Sequence, residues 1–164
     1  MYPTTRAVFA TAIAIVMLAS GALGQESGLG NCAQSNPEPL LAKGCAVLDA
    51  YLAAFNARDS EAFAKTLNYP HVRIASGAVR VWNTSTDYAS ASEIGIGQLA
   101  QAGWGRSAWG YRHLVQRSDN KLHFLLQFTR YTDAGQRIAS FEALYVITLK
   151  DGHWGVLARS SFAP

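Results

Sequence analysis

Residues 107–162 read SAWGYRHLVQRSDNKLHFLLQFTRYTDAGQRIASFEALYVITLKDGHWGVLARSSF. Three turn signals divide this stretch: Ser118-Asp119-Asn120, Asp133-Ala134-Gly135 and Asp151-Gly152. The runs between them, notably 122–131 and 138–149, are rich in aromatic and β-branched residues, which suit a pleated, half-buried surface. The stretch therefore predicts four consecutive antiparallel strands, and the rest of the chain reads as cover for one face of the sheet.

Working upstream, Gly103-Trp104-Gly105 follows a segment that Thr84 or Ser85 can cap and that runs as a helix to Ala102. Gly95 and Gly97 weaken its middle, so a kink is expected there. Two short β-like runs, 71–75 and 78–82, flank Ser76-Gly77 as a hairpin. Before them Asp59 or Ser60 caps a short helix carrying Phe63 and Leu67, ended by Asn68-Tyr69-Pro70. Leu41, Cys45, Leu48, Leu52 and Phe55, with Tyr51 alongside, give residues 40–57 the period of an amphipathic helix, with Asn36-Pro37 as its entry. Helices and strands segregated in this way predict an α+β fold.

Residues 1–24 combine the single charge of Arg6, a short apolar run and small residues at Ala22-Leu23-Gly24, the pattern of a cleaved signal peptide. Residues 25–39 are expected to form a flexible arm, and 40–164 the folded domain, secreted or periplasmic with no membrane segment left after cleavage. Without the leader the chain keeps 13 Lys/Arg (14 less Arg6) against 11 Asp/Glu, a net +2 with no cluster, too weak to argue for nucleic acid. A glycine-rich phosphate loop, a metal-spaced His/Cys set and internal repeats are all missing from the sequence, so no cofactor or metal is expected. Cys32 and Cys45, 13 positions apart in an exported chain, predict one disulfide; two unpaired thiols are the rival reading.

The order of elements resembles the nuclear transport factor 2-like superfamily, which includes SnoaL-like polyketide cyclases and ketosteroid isomerases. So do the helix pattern Tyr51-Leu52-Ala53-Ala54-Phe55-Asn56-Ala57-Arg58-Asp59 and the closing Leu149-Lys150-Asp151-Gly152-His153-Trp154 turn. Residues 69–77 and 158–163 are similar to a bacterial subset of it. The resemblance spans roughly residues 40–163 and implies a cone-shaped roll. In such a roll a short hairpin and a four-strand meander form a curved sheet under three helices, with a pocket between helices and sheet. It also implies dimerisation through the outer face of the sheet. Fold alone does not select an activity.

Counting registers outward from the turns puts Trp109, Phe124, Leu126, Phe128, Arg130, Glu142 and Arg159 on one face. Leu125, Gln127, Thr129, Ala143, Tyr145, Ile147 and Val156 fall on the other. The family's turn alignment makes the second face concave. Glu142 is the one acid inside a predicted strand, and a carboxylate there needs a partner or a raised pKa. It is read either as half of an ion pair with Arg159 or Arg130 at an interface, or as a general acid/base. His71, with Tyr69 and Arg73 near the pocket mouth of the family, is either a base or an ordinary hydrogen-bonded histidine. Tyr51 could supply an oxyanion donor of the isomerase kind. Tyr145 stands where some members carry a polar pocket residue, and Trp82, Trp104 and Trp109 suit a flat or apolar ligand. The expectation is an exported, homodimeric binding protein for a small apolar or aromatic molecule. The alternative is a cofactor-free isomerase, cyclase or hydrolase using His71 or Glu142 with Tyr51.

Overall fold

The computed structural model describes residues 30–164; the expected signal peptide and the first part of the arm lie outside the described residues. Helix α1 spans Pro39–Ala57, α2 Ser60–Lys65 and α3 Ser85–Gln101. The strands are β1 (Gly30–Asn31), β2 (Leu67–Ala75), β3 (Ala78–Trp82), β4 (Arg106–Ser118), β5 (Lys121–Tyr131), β6 (Arg137–Lys150) and β7 (His153–Ser161). They form one sheet in the order β1-β4-β5-β6-β7-β2-β3. The expected hairpin is β2–β3 and the expected meander is β4–β7. A parallel pairing of β2 with β7 joins the two.

Local chemistry places each helix. Glu38, not Asn36, caps α1: its carboxylate accepts from the amides of Leu40 and Leu41. The helix ends at Arg58, whose left-handed backbone (φ 59°) returns the chain into the Asp59 cap of α2. Leu67 belongs to β2 rather than to α2. Thr84 caps α3, accepting from the amide of Asp87. That helix continues through Gly95 and Gly97 to Gln101. The arm is less free than its composition suggests. Gly30 and Asn31 pair with Leu114 and His113 of β4, and the Cys32–Cys45 disulfide fastens this edge to α1. A closed loop of this size stabilises by about 3 kcal/mol on chain-entropy grounds.

The core lies between α1 and α2 and the concave face of the sheet, around Leu41, Leu48, Phe63, Phe124, Leu126 and Ile147. Which residues reach that face is decided by bulges. At the tip of β5–β6 Tyr131 pairs with Arg137, as the turn predicts, but Arg130 then pairs with Ala139 and Gln127 with Glu142. Near the end of β6–β7 the register also shifts by one, so that Tyr145 rather than Leu144 faces Arg159. β4 shifts twice more against β5. A one-residue slip exchanges the two faces of a strand. The predicted face assignment is therefore corrected. Phe124, Leu126, Phe128, Arg130, Trp109 and Arg159 share the concave face with Tyr145, while Glu142 stays on the outer face with Leu125, Gln127 and Thr129.

Two glycines separate packing from propensity. A Cβ on Gly44 of α1 would stand 2.6 Å from Cε2 of the fully buried Phe124. One on exposed Gly97 of α3 would meet nothing within 4 Å. Overpacking costs about 1–3 kcal/mol, whereas replacing a mid-helix glycine with alanine gains roughly 1 kcal/mol. In urea denaturation Gly44→Ala is expected to lose about 1–2 kcal/mol and Gly97→Ala to gain about 0.5–1 kcal/mol.

Candidate functional site

The curved sheet, α1–α3 and the chain end enclose two adjoining chambers. The outer one, of about 380 Å³, lies between α3 and the β2–β3 hairpin, with Phe55, Trp82, Ile96 and Leu99 among its apolar walls. The inner one, of about 50 Å³, adjoins it over the sheet, against Tyr51, Ser107, Trp109, Phe128 and Tyr145. Phe55, Arg73, Arg130 and Arg159 line both. No carboxylate side chain lines either chamber among the described residues.

Strand register explains the arginines. Arg80 of β3 pairs with Arg73 of β2, Arg73 with Arg159 of β7, and Arg159 with Tyr145 of β6. Three guanidinium-bearing residues thus stand in one row across neighbouring strands about 4.8 Å apart. Like charges placed opposite one another oppose folding. Arg130 approaches from β5, its guanidinium carbon 4.9 Å from the Phe141 ring centroid. The two ion pairs among the described residues, Arg112–Asp49 and Arg117–Glu38, involve none of these four.

Each arginine is held differently. Arg159 donates to the hydroxyls of Tyr51 and Tyr88, the latter at 2.9 Å, and Tyr145 donates to Tyr51 at 3.3 Å. Burial pulls the Arg159 guanidinium down, but the surrounding oxygens of Tyr51, Tyr88 and Tyr145 outweigh it, and it stays firmly charged. Burial pushes the phenols of Tyr51 and Tyr88 upward against the opposing charge of Arg159, so both remain protonated at neutral pH. Arg73 donates to the carbonyls of Ala163 and Pro164. Burial and the neighbouring charges of Arg159 and Arg80 press Arg73 downward; burial and Arg73 do the same to Arg130. Three buried N–H groups of chamber-lining residues, closed off from the chambers themselves, have no partner among the described residues: Nε of Arg130, Nε of Arg159 and Nε1 of Trp109.

Of the sequence-predicted site residues, Tyr51, Arg73, Trp82, Trp109 and Tyr145 meet at the chambers. The other four do not. Tyr69 spends its hydroxyl on the carbonyl of Ala64 at 2.8 Å, and Trp104 is core, donating to Ser107 Oγ at 3.0 Å. Glu142 is exposed on the outer face, where it accepts from the hydroxyl of Tyr111 at 3.1 Å; its expected partners Arg130 and Arg159 are on the other side of the sheet. His71 is fully buried, with Nδ1 3.0 Å from the carbonyl of Val156, and lines neither chamber. Burial, with the charge of Arg159 adding to it, holds His71 down at about 3, so it is neutral and a weak base near pH 7. Sequence reasoning missed Tyr88 and Arg80, and placed Arg130 and Arg159 on the wrong face.

A cone of three helices on a curved, bulged sheet, with its site between them, is the architecture of the cystatin-like roll. The family model described as NTF2-like protein (DUF6841) matches residues 45–161, and the chain belongs to that family. A search of curated proteins found no match. Among solved structures, a cystatin-like protein of unknown function from Nostoc punctiforme aligns at 10% identity and TM-score 0.61, covering 75% of this chain and 90% of that one. An NTF-2 like protein from Shewanella oneidensis aligns at 13% identity and TM-score 0.61, covering 74% and 98%. An NTF2-like protein from Novosphingobium aromaticivorans aligns at 10% identity and TM-score 0.59, covering 71% and 77%. Likeness at this identity carries the fold and nothing of the chemistry.

The burial of neutral His71 sets an acid limb on stability. Its folded value of about 3 lies below the ordinary 6.5, so the unfolded chain binds the extra proton first. The stabilisation is complete above the unfolded value and is lost as pH falls toward the folded one, at up to about 1.4 kcal/mol per pH unit. Denaturant titrations of wild type and His71→Phe between these limits are expected to diverge, the variant losing that part of the slope.

Proposed function

We propose that the chain is an exported binding protein for a small organic anion with an apolar body, taken up in the two chambers of the cone. The observation that carries this reading is the set of three arginines, Arg73, Arg130 and Arg159, lining one cavity with no carboxylate side chain among the described residues. An uncompensated cationic site in a low-dielectric pocket gains most from an anionic guest. The outer chamber has the size of a small-molecule site, and its aromatic and aliphatic wall suits the apolar body. This revises the expected ligand from apolar to amphipathic. The disulfide supports the exported assignment. The enzymatic alternative draws no support from geometry, because its two bases, His71 and Glu142, lie outside both chambers.

Native mass spectrometry of the purified protein, followed by calorimetry with matched carboxylates, alcohols and amines, tests the reading. Carboxylates are expected to bind, and to weaken as salt rises. Equal binding of the amines, or no binding of any of them, contradicts it. Arg130→Met is expected to weaken carboxylate binding about tenfold or more while leaving the melting temperature of the free protein unchanged or higher. A drop in both would make Arg130 a structural residue instead.

We further propose a homodimer through the outer face. Leu125, Leu144, Ser160, Ile74 and Val79 form one cross-strand row over five strands. Its four apolar members are 40–66% exposed. An apolar row of this length, interrupted only at Ser160, is costly to leave in water. Light scattering is expected to give twice the chain mass for wild type and the single mass for Leu125→Asp/Leu144→Asp; a monomeric wild type contradicts the proposal.

A further inference from the structure

Resting on the anion-binding reading above, we propose that Gly95 of α3 is a specificity-determining residue of the outer chamber: its missing side chain leaves room for the ligand's apolar body and so sets how bulky that body can be. Helical periodicity puts Gly95 on the chamber side. Tyr88, Ala91, Ser92 and Leu99 stand at i−7, i−4, i−3 and i+4 from it, the spacing of one helix face, and all of them line the outer chamber together with Gly95. Glu93 and Gly97 fall on the opposite side of α3 and are exposed.

Neither packing nor backbone conformation asks for glycine at this position. A Cβ built on Gly95 meets no atom within 4 Å, whereas one on Gly44 collides with Phe124. Gly95 lies inside a regular helix and is not among the residues of positive φ. Helix propensity argues against it, since only proline is a poorer helix former. Protein interiors are otherwise filled to the density of organic crystals, so an empty side-chain position facing a cavity is part of that cavity. A side chain at 95 would project into the volume that Phe55 and Trp82 also wall. The division of labour is spatial. Every arginine of the chamber stands on a strand, Arg73 on β2, Arg80 on β3, Arg130 on β5 and Arg159 on β7, and α3 lends it no cation. The strands therefore read the charge of the ligand and α3 reads its bulk. Gly97 is the matched control, with the same residue and helix but no chamber in front of it.

Benzoate, 1-naphthoate and 1-naphthylmethanol separate bulk from charge, so their dissociation constants by calorimetry test the assignment. Wild type is expected to bind 1-naphthoate at least as tightly as benzoate, because the larger ring system buries more apolar surface. Gly95→Leu is expected to lose about tenfold or more for 1-naphthoate and less than about threefold for benzoate. Its melting temperature without ligand is expected to stay level or rise, since the new side chain enters open space. Gly97→Leu is expected to leave both acids within about twofold. A second readout uses Gly95→Cys. Both native cysteines are paired, so the introduced thiol alone reacts with iodoacetamide, and 1-naphthoate is expected to slow that reaction but not the same reaction of Gly97→Cys. Weaker binding of 1-naphthoate than of benzoate by wild type, equal losses for the two acids in Gly95→Leu, a fall in its melting temperature, or a Gly95→Cys thiol left unprotected each overturns the assignment. Wild type that binds 1-naphthylmethanol and neither acid overturns the anion-binding reading; the assignment then stands if Gly95→Leu loses the alcohol and falls if it does not. Wild type that binds none of the three overturns both.

Discussion

Positive charge gathered on one concave surface is the constraint on which the site depends. The register of β3, β2 and β7 sets Arg80, Arg73 and Arg159 in a row, and Arg130 joins them from β5. In the free protein this arrangement opposes folding, because Arg73, Arg130 and Arg159 are partly desolvated and face charges of the same sign. The fold answers with oxygen acceptors and aromatic rings. The Tyr51 and Tyr88 hydroxyls hold Arg159, the Ala163 and Pro164 oxygens hold Arg73, and the Phe128 and Phe141 rings flank Arg130. Part of the stability of the disulfide-pinned core is thereby held against a site that an anion would relieve.

The same geometry explains why binding fits the site better than catalysis. General acid/base chemistry needs a titratable group within hydrogen-bond reach of the reacting atom. Both chambers offer cations, phenols held protonated by burial, and aromatic or aliphatic walls. Those groups fix a charge and exclude water. They do not move a proton near neutral pH, since burial drives the phenols upward and His71 downward, away from pH 7.

The fold was largely readable from turns and periodicity. Asp151-Gly152 and Ser76-Gly77 set two hairpins whose turn residues have positive φ, and the aromatic and β-branched runs between turn signals became strands. The site was readable only in part, for a definite reason. Period-two sorting assigns a side chain to a face only while the ladder is unbroken. Shifts beside Tyr131 in β5–β6 and near Ile147 in β6–β7 each flipped everything beyond them. Arg130 and Arg159 were therefore counted with Glu142 on the outer face, when they line the cavity. Tyr51, Arg73 and Trp82 were found because α1 is one regular helix and the β2–β3 ladder runs without a register shift. Tyr88 was missed because its partner Arg159 is 71 positions away, and nothing local in α3 marks it as a ligand to a cation.

The central claim is that the cone is suited to receive negative charge between its helices and sheet. Anomalous diffraction from crystals soaked in bromide measures this without any assumption about the natural ligand. The account predicts the strongest bromide peak inside the chambers, beside Arg73, Arg130 and Arg159. Bromide confined to the outer surface, with both chambers free of anomalous density, would contradict it.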